Sequence, residues 1–237
     1  MLNIKQIETA VGNCLVEAGT AFQKDQLKAY KNAIEKEKSS NAKWVLERML
    51  ENAQIAEKNT SPLCDDTGIP HVIVEIGDLL ALPAGWLAAI HSGIEQGLRR
   101  MPGRPMAVKG NEIERVEQSK GLYKDPAKLS PAPIIAKPVS GKNLTITILL
   151  LGGGPEIRAK TYRIFHKRSI KTVLKETADW MIPEMKNLGC SPSTLAIGIG
   201  RTHMEASTMM LEAMQKGSLD KQTHWEKKVT EWVNAEP

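Results

Sequence analysis

The 237 residues suffice for one large domain or two small ones, and with 41% apolar and 25% charged residues an ordinary core forms without disulfides. No apolar run reaches the ~20 residues that span a membrane, and the N-terminus lacks a signal peptide's apolar region and cleavage site, so the expected location is cytoplasmic, with no membrane partner. Net charge is +5, but lysines interleave with glutamates and only 4% of residues are aromatic, which argues against a nucleic-acid partner.

Helical periodicity covers residues 3 to 19 and 24 to 58, the second stretch broken near Ser39-Ser40 and ended before Pro62. HVIVEIG (71–77) alternates as a strand, and PAGWLAAIHSGIEQGLRRM reads as a helix opened by Pro83. From Pro102 to Pro138 the chain is rich in proline, glycine and charge, and little regular structure is expected. NLTITILLL (143–151) is the strongest strand signal. Helices are predicted near 168–188, 202–216 and 221–234, with a short buried strand, TLAIGIG, at 194–200. Helices outnumber strands without strict alternation, so the predicted class is α+β: a small mixed or antiparallel sheet flanked by many helices. No repeat or linker divides residues 1–237, and one domain is expected.

Three loops adjoin predicted strands: CDDTG before one, GGGPE after another, GCSPST before a third. Each alone is good turn chemistry. Loops at strand ends are also where a rigid sheet presents reactive groups. Cys64 and Cys190 lie on two of these loops, each two positions from a proline. Thiolates are soft ligands suited to iron–sulfur clusters, and free cysteines are also commonly inert buried thiols. A cluster held by three cysteines leaves one iron open as a Lewis acid, and a neighbouring carboxylate could then shuttle a proton.

PLCDDTG resembles the cluster-binding loop, P-x-C-Q-D-T-G, of the class I, iron–sulfur-dependent fumarases and L-tartrate dehydratases. GGGPEIR is similar to that family's K-G-G-G-S-E segment, and GCSPSTLAIGIGRTHMEA to its second cysteine loop. The resemblance covers nearly the whole chain and matches the α subunit or N-terminal part of those enzymes. It implies that Cys64 and Cys190 are ligands of a 4Fe-4S cluster, and that Asp66 is an active-site residue with an acid–base and substrate-binding role. It further implies that Arg104 grips a substrate carboxylate, as its bidentate fork allows, and that the backbones of Gly153 and Gly154 approach substrate or cluster. Asp65 stands in the substrate-binding position where glutamine is usual, which adds a negative charge facing a dicarboxylate. Leu151 and Pro155 replace the family's lysine and serine.

The resemblance implies a hydro-lyase that reversibly dehydrates a small hydroxy-dicarboxylic acid of the malate or tartrate type. It implies a β subunit or C-terminal fumarase domain as partner, within a homodimer or heterotetramer. The family's third cluster cysteine and a catalytic histidine have no counterpart before EWVNAEP. The chain is therefore expected to be a truncated form, inactive alone, with a non-catalytic interaction subunit as the alternative. Cys14 falls on an amphipathic helix face near Val11, Leu15 and Ala18, the setting of a packed core cysteine.

Overall fold

The computed structural model describes residues 2–101, 103, 107–154, 159–185, 187 and 192–235. They fall into two compact units, Met1–Gly153 and Gly154–Pro237.

The first unit opens with helix α1 (Ile4–Thr20). Asn3 caps it: the Asn3 side chain accepts from Gln6 N at 2.9 Å, and the Gln6 side chain accepts from Asn3 N at 3.0 Å. Helices α2 (Lys24–Lys36) and α3 (Ser40–Asn59) follow, separated where the paired serines interrupt the pattern; Ser39 becomes the cap of α3. Then come strand β1 (Ile69–Gly77), helix α4 (Trp86–Arg100), a short helix α5 (Glu112–Glu117), a 3₁₀ turn at Pro126–Lys128, and strands β2 (Ile135–Val139) and β3 (Leu144–Leu151).

The sheet runs β2-β1-β3. β2 is parallel to β1 (Ile73 opposite Ile135) and β3 antiparallel (Ile69 opposite Leu151, Ile76 opposite Leu144). As the central strand β1 is buried from Pro70 through Val74, on both faces rather than on alternate residues. β2 lies in the stretch expected to be irregular. Its Pro138 is tolerated because β2 is an edge strand, where a missing N–H breaks no second ladder.

Helices α1 and α4 pack on this sheet and share the main core, with Ile7, Val11 and Leu15 from one and Ile90, Ile94 and Leu98 from the other beside Val72, Val74 and Ile148. Their close approach depends on glycine. A Cβ on Gly93 would lie 2.7 Å from Glu8 O, and one on Gly97 would lie 3.0 Å from Gly12 O.

The second unit holds α6 (Ile170–Met185), α7 (His203–Lys216) and α8 (His224–Asn234). Leu174 and Ala178 of α6 and Val229 and Val233 of α8 form a small core of their own, joined by Leu195 and Ile197. The strand predicted at 194–200 does not form. That segment instead lies along α7, where a Cβ on Gly200 would come within 2.8 Å of Glu205 C, and Leu195 and Ile197 satisfy their hydrophobicity against helices. The class is α+β, as predicted, and the remaining helices and strands start and end within a few residues of their predicted positions.

Candidate active site

The loop from Ser61 to Gly68 is built by anchoring both of its ends. At the close of α3, Thr60 turns into the left-handed region (φ 52°), and Ser61 N donates to Ala56 O at 2.9 Å. Leu63 is then held from two sides: its N–H donates to Gly19 O (2.9 Å) at the end of α1, and its carbonyl accepts from Asn52 Nδ2 (3.0 Å) of α3. At the far end, Gly68 takes φ +89°, and a Cβ there would lie 2.9 Å from the carbonyl carbon of Leu151. The loop is therefore pinned between two helix ends and the last residues of β3.

Between these anchors Cys64 and Asp65 are exposed, Asp66 is half-buried and Thr67 is buried. Asp65 O accepts from Thr67 N at 3.1 Å, tightening the turn. Because Ile69 pairs with Leu151, the loop entering β1 lies beside the glycines that leave β3. A Cβ on Gly153 would sit 3.7 Å from Asp66 Oδ2. Gly103, just after α4, closes the same end of the sheet: a Cβ there would run into Thr67 Oγ1 and lie 2.8 Å from Thr67 Cγ2. Three stretches far apart in sequence thus converge at the start of β1 and the end of β3.

Of the residues singled out from sequence, Cys64, Asp65, Asp66 and Gly153 belong to this convergence. Gly154 is exposed and begins the second unit. Arg104 and Cys190 lie outside the described residues. Sequence reasoning missed Thr67 and Gly103. The available signal was the T-G pair at the end of the PLCDDTG motif and the P-G pair after α4, neither of which was given a role for its own residues. Cys14 stands apart from the site, packed on the main core, where burial first and then the Glu17 charge push its thiol pKa upward. Among the described residues no group of three or more His, Cys, Asp or Glu side chains is placed to hold a metal ion, and no helix is long and apolar enough to cross a membrane.

A thiol and two carboxylates thus stand beside close-approaching glycines at one end of the sheet. The whole-chain comparison gives the chain a family. Residues 8–236 match the family described as fumarate hydratase (Fumerase), and the chain belongs to it.

Among individual relatives, it is 26% identical over 207 residues to a protein of Methanocaldococcus jannaschii named "Putative L(+)-tartrate dehydratase subunit alpha", an overlap of 83% of this chain and 68% of that one. It is 28% identical over 179 residues to the aerobic class I fumarate hydratase of Escherichia coli K12, covering 72% of this chain and 30% of the relative. With fumarate hydratase 2 of Leishmania major it shares 28% over 196 residues, 78% of this chain and 31% of that enzyme. The chain thus spans less than a third of the length of these two fumarate hydratases.

Proposed function

We propose that this chain is the α component of a hydro-lyase that adds or removes water on a small hydroxy-dicarboxylic acid such as malate or tartrate. The observation that carries the reading is the convergence of the Cys64–Asp66 loop with Gly153 and with Gly103, the neighbour of Arg104 in sequence, at one end of the sheet. Family membership supports the reaction class. The two units act as parts of one catalytic domain of residues 1–237, located in the cytoplasm. A β subunit or a C-terminal fumarase domain completes the site within a homodimer or heterotetramer.

The proposed cofactor is a 4Fe-4S cluster. The exposed Cys64 thiol, on a loop fixed at both ends, is a fitting soft donor for one corner. The described residues supply no complete ligand set, so Cys190 and ligands outside them would hold the rest. When bound, such a cluster supplies Lewis acidity toward a substrate hydroxyl.

The chain's own residues do the positioning. Arg104 offers a fork to one substrate carboxylate. Asp66, half-buried and facing the Gly153 backbone, moves a proton to or from the departing oxygen. Gly153 and Gly154, without side chains, let the substrate come close to the backbone. Asp65, exposed beside them, is a further substrate contact, and its negative charge weakens the hold on a dicarboxylate.

The test is anaerobic reconstitution with iron and sulfide, together with the β partner, followed by an assay for dehydration of malate and tartrate. Dehydration that disappears in Cys64→Ser and in Asp66→Asn is the expected result. No turnover of any hydroxy-dicarboxylate by the reconstituted assembly overturns the reading.

A further inference from the structure

Thr67 is 7% exposed, and its Oγ1 is buried with no hydrogen-bond partner among the described residues. Burying a hydroxyl unpaired costs stability, so native proteins keep few such groups, and each one asks for a reason. Local architecture does not supply it. The loop is already shaped by the Thr67 N–H donating to Asp65 O, by the clamp on Leu63 and by the packing of Gly68 on Leu151. A valine of the same shape would serve the packing without the penalty.

What covers the hydroxyl is equally specific. Gly103 lies directly over it, so close that any Cβ would overlap Oγ1. The donor is therefore screened by glycine backbone and by no side chain from position 103, so a ligand reaches it only if that backbone shifts. Beside this contact lies Asp66, whose Oδ2 faces Gly153, and Gly103 precedes Arg104 in sequence. A hydroxyl donates, and a carboxylate oxygen only accepts, so the two are complementary partners.

We propose that Thr67 is a further substrate-binding residue of this site, its hydroxyl donating to a carboxylate oxygen of the dicarboxylate. The inference rests on the hydro-lyase reading above. It adds a second carboxylate contact beside that of Arg104 and assigns the buried hydroxyl a reason to be kept.

The test uses the full chain, Thr67→Val and Thr67→Ser, under anaerobic conditions with iron and sulfide supplied. It combines thermal unfolding of the chain without ligand and calorimetric titration of its assembly with the β partner, using malate and tartrate. Thr67→Val should unfold at the same temperature as the unaltered chain or higher, since it removes an unpaired polar atom. Its affinity for the dicarboxylate should fall about tenfold, while Thr67→Ser stays within about twofold. A valine variant that is less stable than the unaltered chain overturns the inference, because the hydroxyl then has a partner within the fold. Equal affinities in the valine variant and the unaltered chain also overturn it, and leave the hydro-lyase reading intact. If the unaltered assembly binds neither acid, that reading fails and the inference fails with it.

Discussion

Gly153 faces Asp66 with no side chain between them: a Cβ on Gly153 would lie 3.7 Å from Asp66 Oδ2, at ordinary van der Waals distance. Gly153→Ala should therefore fold with stability within about 0.5 kcal/mol of the unaltered chain, while its added methyl occupies the space in front of the carboxylate. In the reconstituted assembly of the proposed hydro-lyase the expected result is a raised KM with normal unfolding. A KM indistinguishable from that of the unaltered enzyme would remove Gly153 from the substrate's path.

Gly68 behaves differently because two penalties coincide there. Its φ of +89° is unfavourable for any side chain, and a Cβ would press within 2.9 Å of the Leu151 carbonyl carbon. Gly68→Ala should cost about 1–3 kcal/mol in urea unfolding. Gly121 provides the control, since its φ is +64° with nothing within 4 Å of a Cβ. Gly121→Ala should lose only the conformational part, about 1–2 kcal/mol at most. Equal losses at both positions would show that packing on Leu151 contributes nothing.

Thiol chemistry separates the two described cysteines. Cys64 is exposed; Cys14 is half-buried, and burial together with Glu17 raises its pKa and lowers its thiolate fraction at neutral pH. With the iron-free protein, mass-spectrometric mapping after a brief pulse of alkylating reagent should find Cys64 modified well before Cys14. After reconstitution with iron and sulfide, Cys64 should become protected and Cys14 should be unchanged. Continued rapid alkylation of Cys64 in iron-loaded protein would exclude it as a ligand.

The pair Arg99–Asp125 ties α4 to the 3₁₀ turn at Pro126–Lys128, with Arg99 Nε 3.1 Å from Asp125 Oδ1 and Nη2 2.9 Å from Oδ2. The Arg99 hydrogen bond, and then the Ala127 N–H, hold the Asp125 carboxyl below its usual range. A depressed folded-state pKa means that the contribution is present above the ordinary aspartate range and disappears as pH falls through the folded value. Both side chains are more than a third exposed, so the effect is small and weakened by salt. The unfolding temperatures of Asp125→Asn and the unaltered chain should differ slightly at neutral pH and low salt, and converge toward acid pH. A difference that grows on acidification contradicts the pairing.

The sequence revealed helices with strong periodicity and clear stops, such as α4 between Pro83 and Pro102, because these signals are local. It also pointed to Cys64, Asp66 and Gly153, because reactive residue types stand out in loops beside strands. β2 escaped notice since Lys137 and Pro138 break its apolar pattern, and only pairing with β1 makes it a strand. TLAIGIG misled in the opposite direction: alternating apolar residues read as a strand, while its glycines were suited to lying along a helix. Thr67 and Gly103 could not have been paired from sequence. Their relationship is a contact across the site between two loops, each unremarkable alone.

The pinning of Gly68 by Leu150 and Leu151 sets an order of events during synthesis. The cysteine loop leaves the ribosome early, yet one of its two anchors is the end of β3, more than 80 residues later in the chain. Pairings this distant in sequence close slowly and late. Until β3 docks, Cys64 is a thiol on a chain without its final shape, open to oxidation and to adventitious metals. On the proposed cluster reading, iron should be delivered productively only after Leu151 has emerged and joined the sheet, and a nascent chain stalled before that point should be the form most easily damaged by oxygen.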